Sequence, residues 1–179
     1  MLSGIVTRNE YARQMEMRGE PDFSELAKII DLCGAHEIDL AAVIMPLHAR
    51  TLLAIEISGH WERYLEDQRA VVEFLENRLG SRSLRIVGLE HNPDITNVPI
   101  TQPESWFEDG IHPKMDAINA VAGCFFAAGE TVCEGKRAPE YLNANSFSAY
   151  REAVTANLES YKRDYQWEYA LMKSSLIED

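Results

Sequence analysis

Two apolar runs too short to be helices, IDLAAVIM (38–45) and LRIVGLE (84–90), alternate with segments of helical periodicity, and that alternation constrains the fold most. A nearly unbroken apolar run of this length suits a strand buried on both faces, as in parallel sheets. Ahead of the first run, Phe23, Leu26, Ala27 and Ile30 recur at helical spacing, and Asp22 with Glu25 makes a capping-box-like start, which predicts a helix over about 22–36. Pro46 ends the run. A short helix over 50–57 stopped at Gly59 follows, and then a longer one whose stripe includes Leu65, Gln68, Val72 and Leu75, with Gly80 where a left-handed cap is wanted. Helix, strand, helix, strand, helix is the order of an α/β fold: a doubly wound, mostly parallel sheet with flanking helices.

Beyond the second run a polar loop with three prolines, HNPDITNVPITQPES, leads to WFEDGIHPK (106–114). Pro113 is placed as the first residue of a helix carrying Ile118, Val121, Ala122 and Phe125 on one side and ending near Gly129. Residues 148–177 then carry Tyr150, Val154, Leu158, Tyr161, Tyr165 and Tyr169 at helical intervals, which predicts one long C-terminal helix lying over the domain or over a neighbouring subunit. Residues 1–20 read as a lead segment and 21–179 as one domain. Only two strong strands stand out, and sheets of this kind normally hold more. The expectation is that weak strands lie in the first twenty residues and the proline-rich loop, or that the chain is part of a longer, here incomplete, domain.

Composition removes several classes. With 29 acidic against 17 basic residues the formal charge is −12, which opposes a phosphate backbone or an anionic membrane surface, so no nucleic acid is expected as a partner. No apolar stretch approaches the roughly 20 residues a membrane span needs. The N-terminus lacks the basic and apolar regions of a signal peptide, so the chain as given looks cytoplasmic. Cys33, Cys124 and Cys133 form no CxxC pair and read as buried free thiols, with no metal and no cofactor implied.

Ligands of open α/β sheets gather beyond the carboxyl ends of the strands. The residues there are PLHA and EHNPD, and the second loop runs on to EDGIHP, so parallel strands would bring His48, His91, Asp94, Asp109 and His112 to one rim. Asp109 and His112 are the catalytic candidates. A carboxylate three residues ahead of a histidine can fix its tautomer through Nδ1 and leave Nε2 to face a nucleophile, with Gly110 permitting the turn. The plainer alternative is a helix entry at which the aspartate accepts backbone N–H groups. His48 and His91 are candidate substrate-binding residues; against this, His48 can be a satisfied histidine at a strand-to-helix turn, and His91 with Asp94 can be loop structure. A zinc site from His48, His91, Asp109 and His112 lacks any supporting ligand spacing. Ser146 and Ser148 read as helix caps.

DGIHP ahead of an apolar helix resembles the D-x-x-H-P block of the SGNH, or GDSL-like, hydrolases, matching it at Asp109, His112 and Pro113. IMPLHAR, FEDGIHPK and SFSAYREAVTANLESYKRDYQWEY are more narrowly similar to SGNH-like proteins of bacterial envelopes that modify polysaccharide acyl groups, over roughly 23–169. The resemblance implies an SGNH-like α/β domain, an esterase or O-acyltransferase acting on acylated glycans, with His112 as base, Asp109 as its orienter, and the cell envelope as the compartment of a longer parent. The family's serine-bearing first block and its G-x-N-D block are absent, so the implied domain lacks its nucleophile. The rival expectation is a non-catalytic α/β binding or assembly module, such as a homo-oligomer, using the acidic surface and the long helix.

Overall fold

The computed structural model describes residues 19, 21–79, 84–116, 118–119 and 140–177. In chain order these form α1 (Ser24–Ala35), β1 (Leu40–Ile44), α2 (Ala49–Ile57), α3 (Trp61–Leu79), β2 (Leu84–Gly88), the short α4 (Pro93–Thr96), β3 (Glu140–Tyr141), α5 (Phe147–Asp164) and α6 (Gln166–Ile177). The architecture is mixed α/β. β1 and β2 pair in parallel, with Leu40 opposite Leu84 and Ile44 opposite Gly88, and α2 and α3 supply the crossover between them. β3 joins β2 antiparallel through Val87 with Tyr141 and Gly88 with Glu140, so the described sheet is mixed, in the order β1-β2-β3.

The pleat divides two apolar clusters. Leu40, Ala42, Ile44 and Ile86 face Ile30 of α1, Val72 and Leu75 of α3, and Tyr150 and Val154 of α5. Val43 and Val87 face the other way, where Leu89, Ile95, Trp106 and Phe107 cover them. Among the described residues, α1, α3 and α5 therefore share one sheet face, while the loops after β2 cover the other. The doubly wound arrangement, with helices on both faces, is not what these residues form by themselves. Nor is β1 buried on both faces as expected: Ala41 is exposed and its neighbours are half-buried, because β1 is the outer strand of the described sheet. The described part of the proline-rich loop holds α4 and turns rather than a strand. The expected strands in the first twenty residues, the cap at Gly80, Val121, Ala122, Phe125, Gly129, Cys124 and Cys133 lie outside the described residues; Cys33 is a half-buried free thiol.

Local chemistry explains the element ends. α3 buries Leu65, Gln68, Val72, Leu75 and Leu79, a three-four repeat that turns one stripe to the core, each apolar member contributing about 1.5–3 kcal/mol. α2 ends in a Schellman motif: Gly59 sits at φ 81, its N–H donates to the Glu56 carbonyl at 2.9 Å, and the His60 N–H donates to that of Ile55 at 3.0 Å. α1 closes the same way, but with Glu37 at φ 55 in the glycine position. Gly88 is required by packing instead, since a Cβ there would lie 2.6 Å from Cε2 of the Tyr150 ring.

The long C-terminal helix is two helices. Tyr165 leaves helical geometry at φ −122, ψ 47, and α6 starts afresh. Past the break Glu168 turns back to accept from the Tyr161 hydroxyl and to pair with Arg50 of α2 at 3.2 Å, while Met172 packs among Leu52, Leu53 and Leu158. A straight helix would carry Glu168 away from both partners. At the other end, Asn143 and Ser146 cap α5 reciprocally: Asn143 Oδ1 accepts the Ser146 N–H at 2.9 Å and Ser146 Oγ accepts the Asn143 N–H at 3.0 Å. Among the described residues no helix is long and apolar enough to cross a membrane.

Candidate functional site

Asp109 and His112 stand at the tip of a small hairpin whose base is buried. Trp106 and Phe107 sink into the cluster under β2, Phe107 pairs with Pro113 as an isolated bridge, and the Lys114 N–H donates to the Trp106 carbonyl at 2.7 Å. The Glu108 N–H donates to the His112 carbonyl at 2.9 Å and closes the tip. Pro113 thus belongs to this hairpin, and the helix begins after it, at Met115, rather than at the proline. The bridge takes precedence because a helical Pro113 would have to give up its extended pairing with Phe107.

At the tip both readings of the motif are realised together. Asp109 Oδ1 accepts the N–H groups of Ile111 and His112, each at 2.7 Å, and Oδ2 meets Nδ1 of the His112 imidazole at 2.7 Å. The aspartate is a backbone cap and a histidine orienter at once. Burial alone would raise the Asp109 carboxyl, but the hydrogen bonds from the imidazole and from the two amides outweigh it and hold the group at about 2. The same bond to Asp109 and its charge, with a smaller contribution from Glu108, raise the His112 imidazole above its ordinary value. Both side chains are open to solvent, 56% for Asp109 and 73% for His112.

The tip is moored to the other strand exit. The Gly110 carbonyl accepts the backbone N–H of His48 at 3.1 Å and the Thr51 hydroxyl at 2.8 Å. The loops after β1 and β2 therefore meet, as parallel strands require.

The His48 side chain does not join the pair at the surface. It is 1% exposed, its Nδ1 accepts the Arg50 N–H at 3.0 Å as the cap of α2, and its Nε2 donates to the Val98 carbonyl at 2.9 Å. Burial lowers its proton affinity, consistent with a neutral ring carrying its hydrogen on Nε2. Phe107 and Tyr161 stand edge-on to it at 5.6 and 5.9 Å. With both nitrogens engaged, this ring has no donor left for a substrate in the described conformation. His91 is likewise buried, with its ring edge toward Tyr150, so it lies inside the domain rather than on an open rim. Asp94 is exposed in the first turn of α4, where Asn92 Oδ1 accepts its N–H. The four residues of the zinc alternative are not gathered, and among the described residues no group of three or more metal-binding side chains occurs.

Sequence reasoning did not single out Glu90. Directly after β2, this carboxyl is fully buried and accepts from the Tyr64 hydroxyl, from Gln68 Nε2 at 2.7 Å, from the Leu47 N–H at 3.3 Å and from the Tyr150 hydroxyl at 3.5 Å. Burial pushes its pKa up, and these donors offset part of the rise. The available signal was an acidic residue ending an apolar run. Asn157, a polar residue on the apolar stripe of α5, gave a similar signal: its amide donates to the Glu90 carbonyl at 2.8 Å and to Thr96 Oγ1 at 2.7 Å, binding the loop after β2 to the helix.

Chemically, the tip offers an imidazole oriented through Nδ1, with Nε2 able to take a proton from water or an alcohol. Compared with known proteins, the chain matches no family model, and no curated protein or solved structure is significantly similar to it.

Proposed function

We propose that the chain is an SGNH-like α/β domain, of the doubly wound kind, whose Asp109–His112 pair is the base half of an acyl-transfer site acting on acylated glycans of the cell envelope. The observation that carries the reading is the 2.7 Å contact between Asp109 Oδ2 and His112 Nδ1, on a loop beyond the carboxyl ends of two parallel strands. In the proposed step a hydroxyl oxygen attacks the acyl carbonyl carbon and its proton passes to Nε2 of His112. Asp109 stabilises the imidazolium through Nδ1, and the departing sugar oxygen takes the proton as its bond to the acyl carbon breaks. The attacking hydroxyl is not a described neighbour of His112, so a water or an acceptor alcohol fills that role in the isolated chain.

The test is hydrolysis of p-nitrophenyl acetate and of an acetylated oligosaccharide by the wild type, His112→Ala and Asp109→Asn. General-base catalysis without a resident nucleophile supplies about 10²–10⁴-fold over background. Slow turnover lost in His112→Ala and reduced in Asp109→Asn is expected; equal rates in all three would contradict the reading.

A second reading, a non-catalytic assembly module, is favoured by α6, which exposes 68% of Trp167 and 39% of Leu171. It is supported instead if hydrolysis is independent of His112 and the chain sediments as an oligomer that Trp167→Ala dissociates.

A further inference from the structure

We propose that Thr51 is a positioning residue for the Asp109–His112 pair, holding the turn between them in register from the first turn of α2. The inference rests on reading that pair as a base with its orienter. An exposed ion pair between two side chains is worth little alone, because ordering both side chains costs about as much as the attraction returns. A productive orientation at an exposed tip therefore has to be imposed by backbone. The bonds from Asp109 Oδ1 to the Ile111 and His112 amides tie the side chain to the turn, but they do not tie the turn to the domain.

That second tie falls on the carbonyl of Gly110, inside the Asp109–His112 turn. It accepts from two donors on one element junction, the His48 N–H at 3.1 Å and the Thr51 hydroxyl at 2.8 Å. The first is backbone and would survive any side-chain change at position 48. The second depends on a hydroxyl at position 51. Thr51 is the third residue of α2, where a side chain ordinarily folds back to the helix start. The N–H it would meet there, that of His48, is already given to the Gly110 carbonyl, and the threonine hydroxyl donates to that same carbonyl instead. The fit is tight: a Cβ at Gly110 would lie 2.2 Å from Thr51 Oγ1, so the glycine is demanded by the hydroxyl packed on it. Threonine in a helix is confined to two χ1 rotamers, and the bond to the Gly110 carbonyl selects the one that reaches the hairpin.

The experiment is an NMR titration of the His112 ring in the wild type, Thr51→Val, Thr51→Ser and Asp109→Asn, with the amide spectrum recorded to confirm the native fold. Thr51→Val should lower the titration midpoint of His112 toward that of Asp109→Asn, and Thr51→Ser should restore the wild-type value. A merely structural threonine would change stability without moving that midpoint. Gly110→Ala, which displaces the hydroxyl without removing it, should reproduce the valine result. If the valine variant does not fold, Thr51→Ala removes the same bond without adding a methyl group and carries the same expectation. A His112 midpoint unchanged in the folded valine or alanine variant overturns the proposal. Failure of the acyl-transfer reading would appear separately, as hydrolysis independent of His112, and would leave these midpoints as they are.

Discussion

Glu90 sets a fully buried carboxyl among two tyrosine hydroxyls, an amide and a backbone N–H, with no cation among its hydrogen-bond partners in the described residues. Burial raises its pKa in the folded state, so the native protein holds this proton more tightly than the unfolded chain does. Its contribution to stability is then most favourable below the ordinary carboxylate range and is lost as pH rises toward the folded-state value. Glu90→Gln removes the ionisation while retaining an oxygen for one of the two pairs of donors. In urea unfolding, the glutamine variant should gain on the wild type as pH rises above the ordinary carboxylate range; a difference independent of pH would contradict this. His112 has the same sign for a different reason. Its raised proton affinity comes from Asp109, so that stabilisation is present below the unfolded-state histidine pKa and lost as pH climbs through the folded-state value. On the proposed reading, activity as a base would be gained over that same rise.

At the scale of elements, the break at Tyr165 determines how the C-terminal segment is used. The carboxylate of Glu168, 12% exposed, serves the Tyr161 hydroxyl and Arg50 together, and so clamps α6 to α5 and to the first turn of α2. Glu168→Ala leaves both partners without their acceptor and should cost about 2 kcal/mol in urea unfolding. Glu168→Gln keeps an acceptor for Tyr161 and should cost less. An alanine variant within the roughly 0.5 kcal/mol of ordinary surface substitutions would mean that apolar packing around Met172 docks α6 unaided. The sequence carried the apolar stripe through the break, because Leu158, Tyr161, Tyr165 and Tyr169 keep helical spacing across it. No proline or glycine marks the site. The break accompanies the tertiary contacts of Glu168 with Tyr161 and Arg50, which periodicity does not register. α1, α3, β1 and β2 were legible for the opposite reason: each is specified by its own stripe or apolar run, and the observed bounds fall within a few residues of those expected.

For the whole molecule, what positions the site is the meeting of two strand exits. Parallel pairing of β1 with β2 puts PLHA beside EHNPD, and the Trp106–Phe107 anchor returns the hairpin tip to the start of α2. The convergence of the two loops was legible from topology, as was the Asp109–His112 pairing from its spacing. Whether His48 and His91 turn inward stays open between two readings of the sequence, since a histidine at a strand exit can face either way and the side chains that pack on them, Phe107, Tyr150 and Tyr161, are distant in sequence. Mixed α/β character followed from the alternation of runs, whereas β3, two residues long, has no sequence signature of its own. The central claim is that this architecture holds His112 with its hydrogen on Nδ1, toward Asp109, and a bare Nε2 toward solvent. The most direct test is ¹⁵N–¹H correlation NMR of the neutral imidazole, which reads the tautomer. The account expects the Nδ1–H form in the wild type, lost in Asp109→Asn; an Nε2–H tautomer for wild-type His112, or a rapid mixture unaffected by that substitution, would contradict it.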